Sequence, residues 1–360
     1  MDQVVFVHID LHGQPVFVGR LWSRFRKGRD SASFEYDTSW LAHTERFALE
    51  PALTLTTGTF HTPPDKALFG ALGDSAPDRW GRILMRRAER RQAERERQVP
   101  RTLSEIDFLL LVDDEARQGA LRFSLEQGGP FMAPPGSFCI PPLVELPRLL
   151  AAAERVANED ENEDDLRLLL APGSSLGGAR PKASVRDKDG SLAIAKFPQR
   201  EDDWIIVRWE AVALSLAARA GIAVPPCRIE AINGKPVLLI RRFDRLADER
   251  TPFLSAMSML GAADNEAHSY LEIADALRQH GSSSKEDLVQ LWRRIVFGVL
   301  ISNTDDHLRN HGFLYANNTG WRLSPAYDLN PVPADVRPRV LATAIGLDDP
   351  SASIEIAFEH

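Results

Sequence analysis

The densest run of chemically capable side chains is Asn303-Thr304-Asp305-Asp306-His307-Leu308-Arg309-Asn310, with a further acid downstream at Asp328. A proton-accepting carboxylate, an amide and a second carboxylate are the groups that Mg²⁺-assisted phosphoryl transfer needs, because that chemistry runs on positioning and charge neutralisation. On these grounds Asp305 is the candidate base for a substrate hydroxyl, and Asn310 and Asp328 are the candidate Mg²⁺ ligands. His307 is expected to orient the loop through hydrogen bonds, and Asp306 either caps the turn or faces water. Two other readings stay open. The run can be a satisfied turn network with no ligand, or His307 and His311 can start a zinc site that lacks its third ligand.

Phosphates need cations and close backbone, and both precede the loop. Pro172 to Lys182 is rich in Gly and Ser, and its glycines let backbone N–H groups approach a phosphate. Ser175, Gly177, Gly178, Ala179 and Lys182 are the candidate contacts. Two strands are expected at Ala183 to Arg186 and Leu192 to Phe197, joined by Asp187-Lys188-Asp189-Gly190. The second carries Lys196 among Ala193, Ile194, Ala195 and Phe197. A lysine there is either at a surface edge or needs an anionic partner. Glu210 can be that partner, from a helix expected over 205–220 and closed by Gly221. A hairpin follows, Cys227 to Ile232 and Pro236 to Arg242, around the turn Asn233-Gly234. The chain then leaves through Arg242-Phe243-Asp244-Arg245. Gly-rich loop, strand, Lys strand, Glu helix, hairpin is the order of a kinase small lobe, where Lys holds phosphates and Glu holds the Lys.

The acidic loop needs rigid supports. Glu286 to Ser302 has Leu288, Leu291, Trp292, Ile295, Val296 and Val299 at helical spacing and ends directly in Asn303. Strands at Gly312 to Tyr315 and Trp321 to Ser324, with a turn at Asn317-Asn318-Thr319-Gly320, return the chain so that Asp328 reaches Asn310.

The 360 residues exceed one ordinary core and suggest two or three packed units. The front reads as mostly β, with strands at Val4 to Ile9, Val16 to Leu21, Phe34 to Trp40 and Phe47 to Leu55. An Arg-rich helix is expected from Pro77 to Gln98, either laced with ion pairs or facing an acidic partner. Residues 128–142 read as a connector and Leu143 to Val156 as a helix. Glu159 to Asp165 holds six acids in seven positions and is expected exposed. The net charge of −8 argues against broad nucleic-acid binding. Only Cys139 and Cys227 are present, which favours a reducing, cytoplasmic setting. The start Met-Asp-Gln-Val-Val does not read as a signal peptide. No membrane-spanning run and no basic amphipathic helix with exposed aromatics are expected.

The whole pattern resembles the HipA family of serine/threonine kinases, the toxins of bacterial toxin–antitoxin pairs. The front part resembles its N-terminal domain at Val18-Gly19-Arg20-Leu21, Phe34-Glu35-Tyr36-Asp37 and Phe69-Gly70-Ala71-Leu72. Ser175 to Lys182 resembles its Gly-rich loop, and Asn303 to Asn310 its catalytic loop. The order Asp-x-His-x-x-Asn is also similar to that of phosphoinositide-type lipid kinases. The resemblance implies an α+β, bilobal, atypical protein-kinase-like fold with a small mostly β N-terminal domain. The expected units are 1–105, 106–245 for the linker and small lobe, and 246–360 for the large lobe. It implies ATP and Mg²⁺ as cofactors and Lys196 as the phosphate-binding lysine. It also implies autophosphorylation at Ser175, which would eject the Gly-rich loop because phosphoserine adds close to two negative charges. Arg242, Phe243 and Asp244 fall where the family places its nucleotide-binding hinge, and Arg241 stands where many relatives have an acid. Relatives continue for several helices beyond the segment resembling Leu341 to Ile345. The implied partners are a helix-turn-helix antitoxin and a protein substrate of the aminoacyl-tRNA synthetase class. DNA would be reached only through the antitoxin, helped by Arg79 to Arg101, and no membrane is involved. Two other functions fit less well: a catalytically weak nucleotide-binding co-repressor, and a small-molecule or lipid kinase.

Overall fold

The computed structural model describes residues 3–26, 28–132, 140–170, 178–200, 202, 204–246, 249–264, 266–316, 319–333, 339–347 and 349–359. Cys139, Ser175, Gly177 and the turn residues Asn317-Asn318 lie outside them, as do parts of the expected connector and Gly-rich loop.

The chain opens with β1 (Gln3–Leu11), β2 (Gln14–Arg26) and β3 (Arg29–Tyr36). Val5, Val7 and Ile9 of β1 alternate inward and are fully buried, as the period of a strand requires. His12 and Gly13 both take positive φ and make the tight turn into β2. The third expected strand stops at Tyr36, because Asp37 accepts a hydrogen bond from the Ser39 N–H and caps the short helix α1 (Thr38–Leu41). No strand forms over Phe47 to Leu55. The Tyr36 hydroxyl ties that segment instead, donating to the Leu53 carbonyl at 2.9 Å and accepting from the Leu49 N–H at 3.0 Å. Then come β4 (Thr59–His61), α2 (Gly70–Gly73), α3 (Arg79–Glu96), α4 (Glu105–Leu110) and β5 (Leu121–Ser124). The sheet order is β4-β3-β2-β1-β5, so its last strand lies beyond residue 105.

The next unit holds α5 (Leu146–Ala157), α6 (Glu163–Leu170), β6 (Lys182–Arg186), β7 (Leu192–Lys196), α7 (Ile206–Arg219), β8 (Cys227–Ile232) and β9 (Lys235–Arg241). Its antiparallel sheet runs β6-β7-β9-β8. Asn233 and Gly234 have φ of 51° and 77°, the conformation a two-residue hairpin turn demands. Helix α3 packs on this core on one side and, through Met85, on Leu103, Phe108 and Val112 on the other. Trp80 and Leu84 pack with α5, α6 and the sheet, and the Trp80 indole N–H donates to the Lys182 carbonyl at 3.1 Å.

The Glu159 to Asp165 acids divide: Glu159, Asp160 and Asp164 are exposed, in a loop and at the start of α6 as expected, and two others are not. Glu161 and Asp165 are buried, Glu161 against Arg87 at 2.7 Å and Asp165 against Arg155. Arg95 meets Glu163 at 2.7 Å, and Arg82 grips Glu105 through two bonds. Much of the Arg-rich helix is therefore neutralised within the chain.

The last unit contains β10 (Arg245–Leu246), β11 (Glu249–Arg250), β12 (Phe253–Ser255), α8 (Ala256–Met259), α9 (Tyr270–His280), α10 (Ser284–Leu300), β13 (Gly312–Tyr315), β14 (Trp321–Leu323) and α11 (Ile354–Glu359). One continuous core joins it to the front sheet, from Val5 and Phe34 to Ile273 and Phe313. No helix among the described residues is long and apolar enough to cross a membrane. Helix α7 exposes Trp209 next to Arg208.

The joint between the front and last units is acidic. Asp74, after α2, accepts from the Ser255 N–H at 2.6 Å and its hydroxyl at 2.8 Å, fixing the start of α8. Gly70 sits so close to Ser258 that a Cβ there would meet its side chain at 2.7 Å. Nearby Glu50 accepts from the Ala71 N–H at 2.6 Å. Burial, aided by the charge of Asp74, pushes Glu50 up to about 7. An acid that holds its proton more tightly folded than unfolded stabilises most at low pH. That contribution falls as pH rises from the unfolded value near 4.5 to the folded value near 7. We expect the stability difference between wild type and Glu50→Gln to drop by up to about 3 kcal/mol over that window. Urea unfolding at pH 4 and pH 8 measures it, and a difference independent of pH would sink the assignment.

Candidate active site

Lys196 ends β7, between β6 and β9. Its ammonium, 11% exposed, donates to Glu210 Oε1 at 2.6 Å and to Asp328 Oδ1 at 2.9 Å. Three distant stretches of chain meet there, one strand and one helix of the small sheet unit and one loop after β14. Burial works against the charge on Lys196, but Asp328 and Glu210 outweigh it and hold the ammonium well above its ordinary value. Burial also raises Asp328, yet the adjacent Lys196 brings its carboxyl well below the usual carboxylate range. Glu210 is raised, because its burial exceeds what Lys196 returns.

Lys182 and Lys196 are directly opposed across β6 and β7, so both side chains leave the same sheet face. Each has its own acid. Lys182 donates to Asp78 Oδ2 at 2.6 Å and to the Gly178 carbonyl at 3.1 Å, tying the end of the Gly-rich loop to the cap of α3. Its ammonium is thus buried in a tether, near enough for its charge to pull the Asp328 and Glu210 carboxyls downward as well. Gly178 and Ala179 are exposed beside it.

The acidic loop is built as a continuation of α10. That helix ends at Leu300, and Ser302 just beyond it turns left-handed with φ of 56°. Asp305 stands exposed. Asn310 is buried and donates its Nδ2 to the Asp305 carbonyl at 3.1 Å, which leaves its amide oxygen as the atom to offer a cation. Asp306 is neither a surface cap nor a ligand. It is buried, and its carboxylate accepts from the Tyr270 hydroxyl at 2.5 Å and lies 3.0 Å from His311 Nε2. Burial raises the Asp306 carboxyl, but His311 and the Tyr270 bond bring it below its ordinary value. His311 is thereby turned into the core, and the zinc alternative loses it. No group of three or more His, Cys, Asp or Glu that could hold a metal exists among the described residues. The loop-orienting bonds expected of His307 are backbone ones, His307 N–H to the Asp305 carbonyl and Asn310 N–H to the His307 carbonyl. Its ring Nδ1 is buried without a partner.

Asp328 is delivered by a strained turn, with φ of 58°. Two bonds stitch its segment to the acidic loop. The Tyr327 hydroxyl donates to the Arg309 carbonyl at 2.7 Å, and the Asn330 N–H donates to Asn303 Oδ1 at 3.2 Å. Asn330 also donates its Nδ2 to Asp328 Oδ1 at 3.0 Å. Asn303 and Asn330 had no role in the sequence reading, and their only signal was their position at the two ends of the loop and the acid. Asp78 was likewise missed, although Pro77-Asp78 before an Arg-rich helix is a cap signature. Buried Asn303 Nδ2, Asn330 Oδ1 and His307 Nδ1 have no partner among the described residues. Orphaned polar atoms concentrated beside two hard-oxygen side chains fit a site that takes a hydrated Mg²⁺ and phosphates, since Mg²⁺ is usually held by one or two carboxylates plus its substrate. Asp328 and Asn310 would hold it.

Arg242 and Asp244 depart from the sequence expectation. Both are buried and paired at 2.6 Å, and Arg242 also donates to the Ala116 and Arg117 carbonyls. Asp244 accepts from the Gly119 N–H at 2.8 Å and from Arg245. These charges clamp the exit of the small unit onto the front unit, so their side chains are not free for a nucleotide. Phe243 stays half-buried, 5.4 Å from the Tyr327 ring.

Comparison with known proteins follows this geometry. Residues 174–359 match the family described as HipA-like C-terminal domain, and residues 9–116 match the HipA N-terminal domain. "Putative kinase Y4mE" of Sinorhizobium fredii is 26% identical over 181 residues, 43% of this chain and 41% of that protein. A Haemophilus influenzae protein with the same kinase designation is 28% identical over 182 residues, 43% of this chain and 52% of that protein. The matched stretch thus spans about half or less of the curated relatives' own length. HipA of Shewanella oneidensis MR-1, solved with HipB and operator DNA, aligns with a TM-score of 0.66 at 17% identity. That alignment covers 97% of this chain and 81% of that one, and it establishes an α+β HipA-like fold.

Removing Lys196 should expose the cost of its two acids. Lys196→Met leaves Glu210 and Asp328 facing each other in a buried site, and we expect a loss of about 3–5 kcal/mol at pH 7. Without the lysine both carboxyls rise above their unfolded values, so stability should recover as pH falls toward 4 and they protonate. Urea unfolding at the two pH values tests this; equal losses at both would contradict it.

Proposed function

The chain belongs to the HipA-like C-terminal domain family, and on that premise we propose that it is an ATP-dependent serine/threonine protein kinase, acting as the growth-inhibiting toxin of a toxin–antitoxin pair. The observation that carries this reading is the bridge from Lys196 to Glu210 on one side and to Asp328 on the other. Kinases keep that lysine charged and aimed by a helix glutamate, and they place a metal-binding aspartate opposite it.

In this scheme Lys196 exchanges its bond with Asp328 for phosphate oxygens of ATP, while Glu210 keeps its aim. Bound Mg²⁺ would neutralise charge on the phosphates. Asp328 and Asn310 turn their oxygens toward that charge. Exposed Asp305 accepts the proton of a serine or threonine hydroxyl as its oxygen bonds to the γ-phosphorus and the bond to ADP breaks. Gly178 and Ala179, at the tethered end of the Gly-rich loop, offer backbone to the phosphates. Ser175 is the proposed autophosphorylation site, where a phosphate would repel the nucleotide the loop covers.

The partner follows by family: a helix-turn-helix antitoxin, with DNA reached only through it. The Shewanella HipA was solved as a toxin–antitoxin complex with HipB and its operator DNA. The Arg-rich helix lends little direct support to DNA binding, since several of its arginines are paired with acids of the same chain. A protein substrate of the aminoacyl-tRNA synthetase class and a cytoplasmic setting complete the reading.

Labelled ATP and Mg²⁺ test it. Wild type should label itself. Asp305→Ala should lose about 10²–10⁴-fold in rate, as expected for a general base, and Asp328→Ala should fall to background. Ser175→Ala should lose its own label yet still phosphorylate a target. Equal labelling by wild type and Asp305→Ala would refute the role of that carboxylate.

A further inference from the structure

Helix α7 has two apolar faces. The inner face buries Val207, Ala213, Leu214 and Ala217, and it carries Glu210 to Lys196. The outer face leaves Trp209 52%, Val212 45% and Leu216 42% exposed, with Ile205 44% exposed at the helix start. Spacings of four, three and four residues put all four on one stripe. The stripe is about 16 Å long at 1.5 Å per residue, three turns of a partner helix. Single exposed apolar residues are ordinary, whereas a contiguous stripe with a half-exposed tryptophan is the composition of an interface centre.

Charge selects the occupant. Arg208 and Arg219 are exposed and lie along one side of the stripe at helical spacing. Neither forms an ion pair among the described residues, and the only acid of α7, Glu210, is buried. A second copy of this face would bring cations to cations, which disfavours self-pairing. An anionic membrane is disfavoured by the net charge of −8 on the whole chain. An amphipathic helix with an apolar stripe and carboxylates along one flank matches both features at once. We propose that the outer face of α7 is a docking surface for an acidic amphipathic helix of a partner protein.

The test uses the full chain and two designed peptides of about four turns, sharing one Leu stripe and differing only in Glu or Lys on the polar face. Fluorescence anisotropy of the labelled peptides reads binding directly and needs no phosphotransfer, so it stands apart from the kinase reading. The Glu peptide should bind saturably and at least about tenfold more tightly than the Lys peptide. The double change Trp209→Ser with Leu216→Ser should weaken it by about tenfold or more. Arg208→Glu with Arg219→Glu, which touches no core residue, should reverse the preference between peptides and serves where the first variant fails to fold. Equal binding of both peptides, no binding of either, or an unchanged preference in the arginine variant would overturn the proposal. So would a wild-type dimer that Trp209→Ser dissolves, or binding to anionic phospholipid vesicles that the same change removes.

Discussion

The structure depends on keeping one ammonium charged where water is scarce. Lys196 is nearly buried, and a buried cation without partners would lose its proton or unfold its surroundings. Two carboxylates from opposite sides solve this. Glu210 comes from the small sheet unit and Asp328 from the large unit, so the ion network is also a bond between lobes. A buried ion pair contributes little net stability, because desolvation cancels much of the attraction. Its value is geometric: it fixes β7, α7 and the turn at Asp328 relative to one another. The left-handed backbone of Asp328 is held by that pairing and by Asn330.

The same logic organises the rest of the chain. The front sheet shares one core with the large unit, while α3 packs on the small unit, so the first hundred residues brace both. Charged clamps fix the remaining freedom. Arg242, Asp244 and Arg245 lock the exit of β9 to the 116–119 segment, with every partner inside the protein. Burial works against the charge of Asp244, yet Arg242 and Arg245 hold its carboxyl well below the usual range. A hinge built this way resists relative motion of front and small units. At the described end of the Gly-rich loop, Lys182 meets Asp78 and Arg180 meets Asp202.

What could be read in advance was whatever local rules control. Asn233-Gly234 announced its hairpin because few other pairs accept positive φ twice. The strand with Lys196, the helix with Glu210 and the strands around Asp328 were recognisable from period and order, within one or two residues. The pairing of Lys196 with an acid followed from its apolar neighbours. Contacts between distant segments were the ones that escaped. Phe47 to Leu55 has the apolar content of a strand, yet the Tyr36 hydroxyl satisfies its backbone and leaves it as turns. Glu161 looked repelled by its neighbours because Arg87 and Arg91, which bury it, lie some seventy residues earlier. Arg242 and Asp244 looked like ligand contacts because nothing local reveals that the Ala116 and Arg117 carbonyls await Arg242 and the Gly119 N–H awaits Asp244.

Helix α7 shows where the network is weakest. Its inner face is held by Val207, Ala213, Leu214, Ala217 and one carboxylate, and its outer face is open. Glu210 resists ionisation through its burial, so its grip on Lys196 depends on the helix keeping its register against β9. A one-turn slide of α7 would move that carboxylate by about 5 Å, more than a hydrogen bond tolerates. The lysine would then lean on Asp328 alone. Anything that packs on the outer stripe adds buried apolar area at just the element whose register decides which acid holds Lys196. The exposed face and the buried carboxylate are therefore two ends of one mechanical problem: a thin helix must hold a charge still, and it has support on only one side.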